Sequence, residues 1–451
     1  MPRSNPGRRA RAGRHRTQAS GFFLLVLLWS TASADARLEA LLRGTEVTPE
    51  LSGLQISLME KGVQTESVAL GFAQLSESGP NSLRPDHKIR VASISKFVVA
   101  LGVMRLVEAG ELDLDADVST YLGWTLRNPR FADEPITLRQ LLAHTSSIRD
   151  GSRYFIEAGS GELRDFFDPA SEFWGEGEHF AGNAGEEPGR YFVYSNLNFG
   201  LIGAVIERVA DMRFDQFMAQ EVLDPLGLSA RFDPCEVPAS RRAAAFRKRP
   251  IDGDWNPAGP WVAQVDAGAP RCFYGMQALD DPAEFLASYT LGSNASLYSP
   301  QGGLRASADD LLQVLRMLAN GGVLDGTRFL SEASVAEMLA PEWTLNAERN
   351  NGLSAGEAEP GGPTDGLMTS YGLSVHRIDM RAWGFSDGPG LLVGHLGEAY
   401  GVLSHALFDP ESGDGIVTII TGTGDDPADS EPGHSPLYRV EEEILRWWLA
   451  R

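Results

Sequence analysis

A serine and a lysine three residues apart, Ser93 and Lys96, combine a nucleophile and a base at a spacing that allows them to meet. They open a segment, Phe97 to Met104, that is apolar on every face and predicts a buried helix beginning at Ser93. Residues three apart lie on one face of a helix, so the amine can approach the hydroxyl. Burial disfavours an ammonium ion, and a neutral amine can accept the serine proton. The pair therefore predicts nucleophilic catalysis, although a helix start with a lysine that reaches solvent would use the same residues.

Lysine is the less common basic residue of this chain, which contains 35 arginines and only four lysines. The arginine guanidinium stays protonated in proteins, whereas a lysine amine can lose its proton when it is desolvated. A lysine at position 96 therefore suits a base that must become neutral.

Two downstream segments carry further polar groups of the kind that an acyl-transfer site needs. Tyr194-Ser195-Asn196 lies in a turn before a predicted helix and offers a phenol for proton relay and a carboxamide for a substrate amide. The segment from Gly394 to Gly401 contains His395, Gly397 and Glu398, and its glycines permit close approach of the backbone to a ligand. Found alone, these segments would be a turn tyrosine and a glycine cluster at a strand end.

Other catalytic signatures are absent from the sequence: a Gly-x-Ser-x-Gly elbow, a His-Glu-x-x-His zinc motif, a Walker loop and Gly-x-Gly-x-x-Gly. His144 and Asp150 suggest a Ser-His-Asp triad, but closeness in sequence does not give closeness in space, and Lys96 already supplies a base. We therefore interpret His144 as a hydrogen-bonded structural histidine. The acidic stretch from Asp425 to Glu431 lacks the spacing of an EF-hand, so no metal ion and no cofactor are predicted.

The pattern of apolar residues predicts an α+β fold whose two ends share an antiparallel sheet. Two strands, Gln55 to Glu60 and Glu66 to Phe72, flank a turn at Lys61-Gly62. Helical periodicity follows at 91–122, 136–144, 198–210, 214–223, 309–319 and 332–339. Strand-like segments return at 371–378, 401–408 and 415–421, before an amphipathic helix at 437–449. Strands at both ends favour one sheet flanked by helices, with a mainly helical region inserted between its halves.

The first 34 residues have the pattern of a signal peptide. Six arginines precede a short apolar run, Phe22 to Trp29, and Ala32-Ser33-Ala34 offers a small-x-small cleavage site. The run is far shorter than the roughly 20 residues that span a bilayer, although an uncleaved anchor is the alternative. We therefore expect export to the periplasm or the outside, no stable membrane anchor after cleavage, and a mature domain over 35–451.

Two regions interrupt the regular pattern of the mature chain. Residues from about 232 to 298 are rich in proline, glycine and aspartate and predict an insertion, and about 346–364 predict a flexible surface loop. Two cysteines, Cys235 and Cys272, lie in the insertion. In an exported protein such a pair most often forms a disulfide, with two unlinked buried thiols as the alternative.

The formal net charge of the chain is −22 and becomes −28 when the leader with its arginines is removed. Such a surface repels phosphate backbones and anionic headgroups, which argues against nucleic acid and acidic lipid as partners. Solubility is the simplest reason for this charge. We expect a small-molecule or peptide substrate, and the sequence leaves the oligomeric state open.

The order and context of these motifs resemble serine β-lactamases, penicillin-binding proteins and the related carboxypeptidases, D-amino-acid peptidases and esterases, in their class C-like branch. The resemblance covers nearly all of the mature chain. It extends to framework segments at 136–146, 224–227 and 302–310, which read ITLRQLLAHTS, DPLG and GGLRASADD. It implies a β-lactamase/transpeptidase-like fold and a metal-independent serine hydrolase.

By position, the resemblance makes Ser93 the acylated nucleophile and Lys96 its general base or proton shuttle. Tyr194 is implied to be a second base that helps to activate the deacylating water. Asn196 is implied to contact the substrate amide.

The triplet His395-Leu396-Gly397 is implied to line the acyl site, with the backbone N–H groups of Ser93 and Glu398 as an oxyanion hole. Here the chain departs from a Lys-Thr-Gly element, since imidazole and leucine replace a permanent cation and a hydroxyl. The carboxylate of a β-lactam would lose two of its usual anchors. We therefore expect hydrolysis of a small ester or of a D-amino-acid or cell-wall-type peptide. A β-lactamase and a catalytically silent penicillin-binding-like sensor are the alternatives.

Overall fold

A computed structural model describes residues 35–249, 254–268, 272, 276, 279–357, 364–386, 388–430 and 433–451. The predicted leader, residues 1–34, lies outside the described residues. In the part of the chain that is described, no helix combines the length and the apolar character needed to cross a membrane.

Fifteen strands are present in the described residues: β1 (Leu51–Glu60), β2 (Val63–Ser76), β3 (Gly79–Ser82), β4 (Ile89–Arg90), β5 (Ala245–Lys248), β6 (Trp261–Val265), β7 (Arg305–Ala306), β8 (Val323–Leu324), β9 (Thr327–Arg328), β10 (Trp343–Thr344), β11 (Ser370–Tyr371), β12 (His376–Asp379), β13 (Leu391–Ala399), β14 (Val402–Phe408) and β15 (Gly415–Thr423). The α-helices are α1 (Ala36–Arg43), α2 (Ile94–Glu108), α3 (Ser119–Leu122), α4 (Leu138–Leu142), α5 (Leu197–Ala210), α6 (Phe214–Phe217), α7 (Pro282–Ser288), α8 (Ala308–Ala319), α9 (Glu332–Leu339) and α10 (Arg439–Leu449).

One large sheet joins the two ends of the described chain. Nine of its 11 described strands follow the order β10-β11-β12-β13-β14-β15-β1-β2-β3, and β5 and β6 extend from β15. β1 lies antiparallel to β15, with Leu51 opposite Thr423 and Met59 opposite Gly415. The predicted α+β fold, in which N- and C-terminal strands share one sheet, is therefore confirmed.

The central strands alternate between two apolar cores, because successive side chains of a strand point to opposite faces. In β14, Leu403 and Leu407 face one core, whereas Val402 and Ala406 face the other. The first core is closed by residues of α1 and α10, and the second contains the buried middle helices, α2 among them. The sheet is therefore covered on both faces, and the helical layer on one of them positions Ser93.

Helix α2 is buried along almost its whole length, as its uniformly apolar sequence predicts. Side chains such as Val98 and Leu101 are fully buried, and each contributes roughly 1.5–3 kcal/mol by leaving water. Gly102 brings the helix close to a neighbouring π-helical segment, Met218–Leu223, since a Cβ there would lie 3.0 Å from the Met218 sulfur. This packing fixes the helix that carries the Ser-x-x-Lys pair.

Most predicted elements lie where the apolar pattern indicated. The helices at 198–210, 309–319 and 332–339 correspond to α5, α8 and α9 to within one residue. The helical pattern at 91–122 instead yields α2 and α3, because Gly110 has a φ of +74° and ends the first helix. The strand at 371–378 is split into β11 and β12, where Ser374 has a φ of +60°.

The region of the predicted insertion contributes β5, β6 and α7, so it is more regular than its composition indicated. Cys235 and Cys272 form a disulfide within it, with Cα atoms 5.3 Å apart. Hydrogen bonds also hold the region to α5. The buried carboxylate of Glu207, in α5, accepts from Tyr289 Oη at 2.7 Å and from the Gly292 nitrogen at 2.8 Å.

Candidate active site

Ser93 lies at the turn between β4 and α2, on the wall of a cavity of about 350 Å³. Ala92 before it has a φ of +47°, a conformation that is uncommon for a residue with a side chain. This sharp turn leaves the serine partly exposed, while the helix behind it is buried. The hydroxyl is thereby presented to the cavity.

The Lys96 amine is fully buried and has three oxygen neighbours. Its Nζ lies 2.8 Å from Ser93 Oγ, 2.8 Å from Asn196 Oδ1 and 2.9 Å from the backbone oxygen of Gln301. A neutral amine has two N–H donors and one lone pair. With Asn196 and Gln301 accepting the two donors, the lone pair is left for the hydroxyl proton of Ser93.

The electrostatic surroundings of Lys96 favour this neutral form. Burial lowers the pKa of the amine to about 8, and the negative charges of Glu357 and Asp150 act in the opposite direction. A considerable fraction of the lysine is therefore deprotonated just above neutral pH. Arginine could not replace it, because a guanidinium does not titrate in this range.

The ring of Tyr194 contacts both Lys96 and His144. The Lys96 Nζ is 4.7 Å from the centroid of the phenol, and the His144 ring stacks on it at 4.3 Å. Burial raises the pKa of Tyr194 well above its usual value, and its hydrogen bond with Ser93 only partly opposes this. The phenol is thus protonated near neutral pH, which suits relay of a proton better than the role of a free base that the resemblance implied.

Asn196 connects the lysine to two carboxylates. Its Oδ1 accepts from Lys96, and its Nδ2 donates to Asp150 Oδ2 at 2.9 Å and to Glu357 Oε1 at 3.0 Å. The other oxygen of Asp150 accepts from Ser195 Oγ at 2.8 Å and from the Leu197 nitrogen at 2.9 Å. Asp150 therefore holds the Tyr-Ser-Asn turn at the start of α5.

His144 supports the same turn from inside the protein. Its Nδ1 accepts a hydrogen bond from the Ser195 nitrogen at 3.1 Å, and burial lowers its pKa well below the usual value, so the ring is neutral. The hydrogen bonds of His144 and Asp150 are thus directed to residues 195–198 rather than to Ser93. This arrangement agrees with the interpretation of His144 as a structural histidine.

Strand β13 brings a glycine against the start of α2. A Cβ on Gly397 would lie 2.7 Å from the Val91 oxygen and 3.1 Å from the Ser93 nitrogen, so a larger residue would push the two main chains apart. The pairing of β12 with β13 extends only to His376 opposite Gly394. Glu398, which follows Gly397 beyond that pairing, lines the cavity together with Ser93.

The predicted contact between His395 and the substrate does not agree with the position of this residue. His395 is fully buried, its Nε2 lies 2.8 Å from Tyr371 Oη, and it is not among the described residues that line the cavity. Leu396 and Glu398 do line it. The reason is that its ring is covered by those of Tyr194, Tyr371 and His376, whose centroids lie 6.5, 6.1 and 4.4 Å from it.

Carboxyl groups are prominent among the described residues of the cavity wall. Glu357, Glu398 and Glu441 line it, with Arg247 as the guanidinium. Tyr438 Oη donates to Glu398 Oε2 at 3.1 Å. Glu441 is buried, and this burial, together with the charge of Glu398, raises its pKa to about 8.

Several residues of this site were missed by the sequence interpretation. In the sequence, Asp150 suggests only a triad, Glu357 lies in a predicted loop, and His376 and Glu441 carry no motif. His376 lines the cavity, yet both of its ring nitrogens are buried without a hydrogen-bond partner among the described residues. A weak signal existed for Asp150, since it follows a segment that resembles family framework.

The family described as Beta-lactamase matches residues 38–439 of the chain. The chain belongs to this beta-lactamase family. The match spans the Ser-x-x-Lys turn, the Tyr-Ser-Asn turn and β13, which together form the site described above. The narrower class C-like assignment stays a prediction.

A curated relative and two solved structures are similar to this chain. Protein flp of Staphylococcus aureus (strain N315) is 26% identical over 181 residues, which is 40% of this chain and 34% of that protein. The chain thus matches about a third of the length of the first curated relatives. D-amino acid amidase from Ochrobactrum anthropi SV3, complexed with L-phenylalanine, has a TM-score of 0.58 at 20% identity, over 89% of this chain and 94% of that one. EstCE1, a hydrolase with promiscuous acyltransferase activity, has a TM-score of 0.58 at 20% identity, over 87% of this chain and 93% of that one. Both structures share the fold.

Proposed function

We propose that this protein is an exported hydrolase that cleaves an ester or an amide through an acyl-enzyme on Ser93. The observation that carries the proposal is the position of the buried Lys96 amine, 2.8 Å from Ser93 Oγ. Asn196 Oδ1 and the Gln301 oxygen accept the two N–H groups of the neutral amine. Its lone pair is therefore directed to the proton of Ser93. Ser93 and Lys96 together thus form an activated nucleophile.

In the acylation step, Ser93 Oγ attacks the substrate carbonyl and its proton passes to Lys96. The negative charge on the carbonyl oxygen is stabilised by the backbone N–H groups of Ser93 and Glu398, which line the same cavity. The bond to the leaving group then breaks, and the leaving group receives a proton from Lys96 through the Tyr194 hydroxyl. Tyr194 suits this relay because its phenol stays protonated and contacts Ser93.

Deacylation reverses these proton movements. A water molecule attacks the acyl carbonyl while its proton passes by way of Tyr194 to Lys96. The bond between the acyl carbon and Ser93 Oγ then breaks, Lys96 returns the proton to Oγ, and the acid product is released. Asn196 Oδ1 accepts from Lys96 throughout the cycle. Its Nδ2 donates to the substrate amide when its hydrogen bond to Glu357 is broken.

The favoured substrate is a small ester or a D-amino-acid or cell-wall-type peptide rather than a β-lactam. The exposed carboxylate of Glu357 and the partly charged Glu398 in the cavity wall support this choice, because both disfavour a carboxylate on the substrate. His395 is fully buried, and this burial lowers its pKa well below the usual value, so it offers no cation in its place. Relatives with the fold include proteins named for amidase and hydrolase chemistry, and this agrees with the proposal.

Export is supported by the disulfide between Cys235 and Cys272, since disulfides persist mainly in oxidising compartments. Together with the leader pattern of residues 1–34, it favours the periplasm or the cell exterior.

A fluorophosphonate probe tests the nucleophile directly. Wild-type protein should be labelled covalently, Ser93→Ala should not, and Ser78→Ala, in an exposed turn, should behave as wild type. A panel of esters, peptides with D-residues and penicillins then ranks the substrates. Absence of labelling in folded wild-type protein would instead favour the catalytically silent binding protein.

A further inference from the structure

The carboxyl groups of the cavity wall differ in how much negative charge each presents to a bound molecule. Arg247 interacts electrostatically with Glu398. Its guanidinium also packs over the ring of Trp255, 4.7 Å from the ring centroid. Glu398 also accepts the hydrogen bond of Tyr438. Burial raises the pKa of Glu398 to about 7, so this carboxyl is only partly charged near neutral pH.

Glu441 does not supply a full charge either, because burial and Glu398 raise its pKa to about 8 and leave it largely protonated at neutral pH. Glu357 differs from both. Its side chain is exposed in the cavity, and the described residues offer its carboxylate one hydrogen bond, from Asn196 Nδ2 at 3.0 Å. Glu357 is thus the carboxylate that is left to pair with a bound molecule.

A second and independent feature is His376. It is 2% exposed, lines the same cavity, and has both ring nitrogens buried without a hydrogen-bond partner among the described residues. Burial and the nearby Lys96 keep its ring neutral, so one nitrogen is a free acceptor. Buried polar atoms are normally paired, and a ligand that donates hydrogen bonds would satisfy this one.

We propose that the substrate of the Ser93 site carries a primary ammonium group beside its acyl carbonyl, and that Glu357 binds this group. The substrate class is therefore an amino-acid ester or amide with a free amine. The inference rests on the proposed acyl-transfer function and adds charge selection to it. Asn196 bridges Glu357 and Lys96, so the ammonium lies next to the reacting groups.

Binding of the ammonium also acts on the base. The charge of Glu357 favours the protonated form of Lys96. When a cation neutralises that charge, Lys96 gives up its proton more readily. Correct substrates would thus help to prepare the lysine for the attack of Ser93.

The experiment compares alanine methyl ester, as both enantiomers, with methyl isobutyrate, in which a methyl group replaces the ammonium. At pH 7 the α-amino group is mostly protonated, since its ordinary pKa is about 7.7–8.0. The quantity measured is the ratio of kcat/KM for the two esters. Glu357→Gln should lower this ratio about tenfold, mainly through KM of the alanine ester, and added salt should lower it in wild type.

Glu411→Gln is the matched control, because Glu411 is exposed in the turn between β14 and β15 and does not line the cavity. It should keep the wild-type ratio. An unchanged ratio in Glu357→Gln, with methyl isobutyrate cleaved through Ser93, overturns this inference and leaves the proposed function standing. Labelling of Ser93 without turnover of alanine methyl ester also overturns the inference alone, whereas absence of both labelling and turnover overturns the two together.

Discussion

Asp150 accepts a hydrogen bond from the side chain of Asn196 at 2.9 Å, across 46 positions of the chain. The same carboxylate accepts from Ser195 and Leu197, so three donors of one turn converge on it. The turn then presents Asn196 to Lys96 and Tyr194 to Ser93. Asp150 is thus a positioning residue of the site, although it does not touch the nucleophile.

Replacement of Asp150 by alanine should leave those three donors without their acceptor. We expect kcat to fall at least about tenfold, because the loss of buried hydrogen bonds to a charged group destabilises the turn by about 1.5–3 kcal/mol. The midpoint of the acid limb of kcat/KM should also move to lower pH, since the charge of Asp150 favours protonated Lys96. Asp133→Ala, at an exposed loop position, is the control. A changed stability with an unchanged pH profile would reduce Asp150 to a structural role.

The pH dependence of kcat/KM should report the titration of Lys96. Because burial lowers the pKa of this lysine to about 8, the fraction of neutral amine grows as the pH rises. We expect kcat/KM to increase up to about pH 8 and then to level off. Lys96→Ala and Lys96→Arg should each lose a factor of about 10²–10⁴, because neither can accept the serine proton. The control, Lys61→Arg in the turn between β1 and β2, should keep the wild-type kcat/KM. Near-normal activity of Lys96→Arg would remove Lys96 from the mechanism.

Gly397→Ala should separate β13 from the start of α2. The added Cβ would lie 2.7 Å from the Val91 oxygen, so the backbone near Glu398 must shift away from Ser93. Loss of one oxyanion donor typically lowers kcat by about 10²–10³. Gly390→Ala is a matched control, since a Cβ there meets nothing within 4 Å. Equal kcat values in the two variants would remove β13 from the oxyanion hole.

Opening the disulfide should destabilise the protein. Cys235 and Cys272 are separated by 37 positions, and closing a loop of this size stabilises the folded state by about 4 kcal/mol in the chain-entropy model. The double variant Cys235→Ser/Cys272→Ser should show that loss in denaturant unfolding, and reductant should affect only the wild type. Mass spectrometry of unreduced protein that found two free thiols would contradict the bond.

Glu441 should make stability depend on pH. Its pKa is raised from 4.5 to about 8 in the folded protein, so between these values the folded state holds a proton that the unfolded chain releases. The free energy of unfolding contributed by this group is therefore largest below pH 4.5 and falls as the pH rises through 8. Glu441→Gln keeps the shape without the titration and should be more stable than wild type at pH 9, by about 2–4 kcal/mol.

Urea unfolding at pH 5 and at pH 9 measures this effect, with Glu411→Gln as a control that should parallel the wild type. If Glu441→Gln and wild type lost the same stability between the two pH values, the buried proton would not be on Glu441.

The sequence by itself determined the Ser93–Lys96 pair, the buried helix behind it and the sharing of one sheet by both ends of the chain. These features depend on local spacing: residues three apart share a helix face, and apolar periodicity distinguishes helix from strand. Gly397 could also be read from the sequence, because a close approach of two main chains requires glycine.

The tertiary structure decided the rest of the site. His395 is adjacent to Leu396, but only the packing of Tyr371 and His376 around its ring shows that it is buried and does not line the cavity. Asp150, Glu357 and Glu441 meet Asn196 and Glu398 from segments distant in the chain, and no local pattern records such contacts. The charge of the cavity and the states of its titratable groups follow from burial and distance, which exist only in the folded chain.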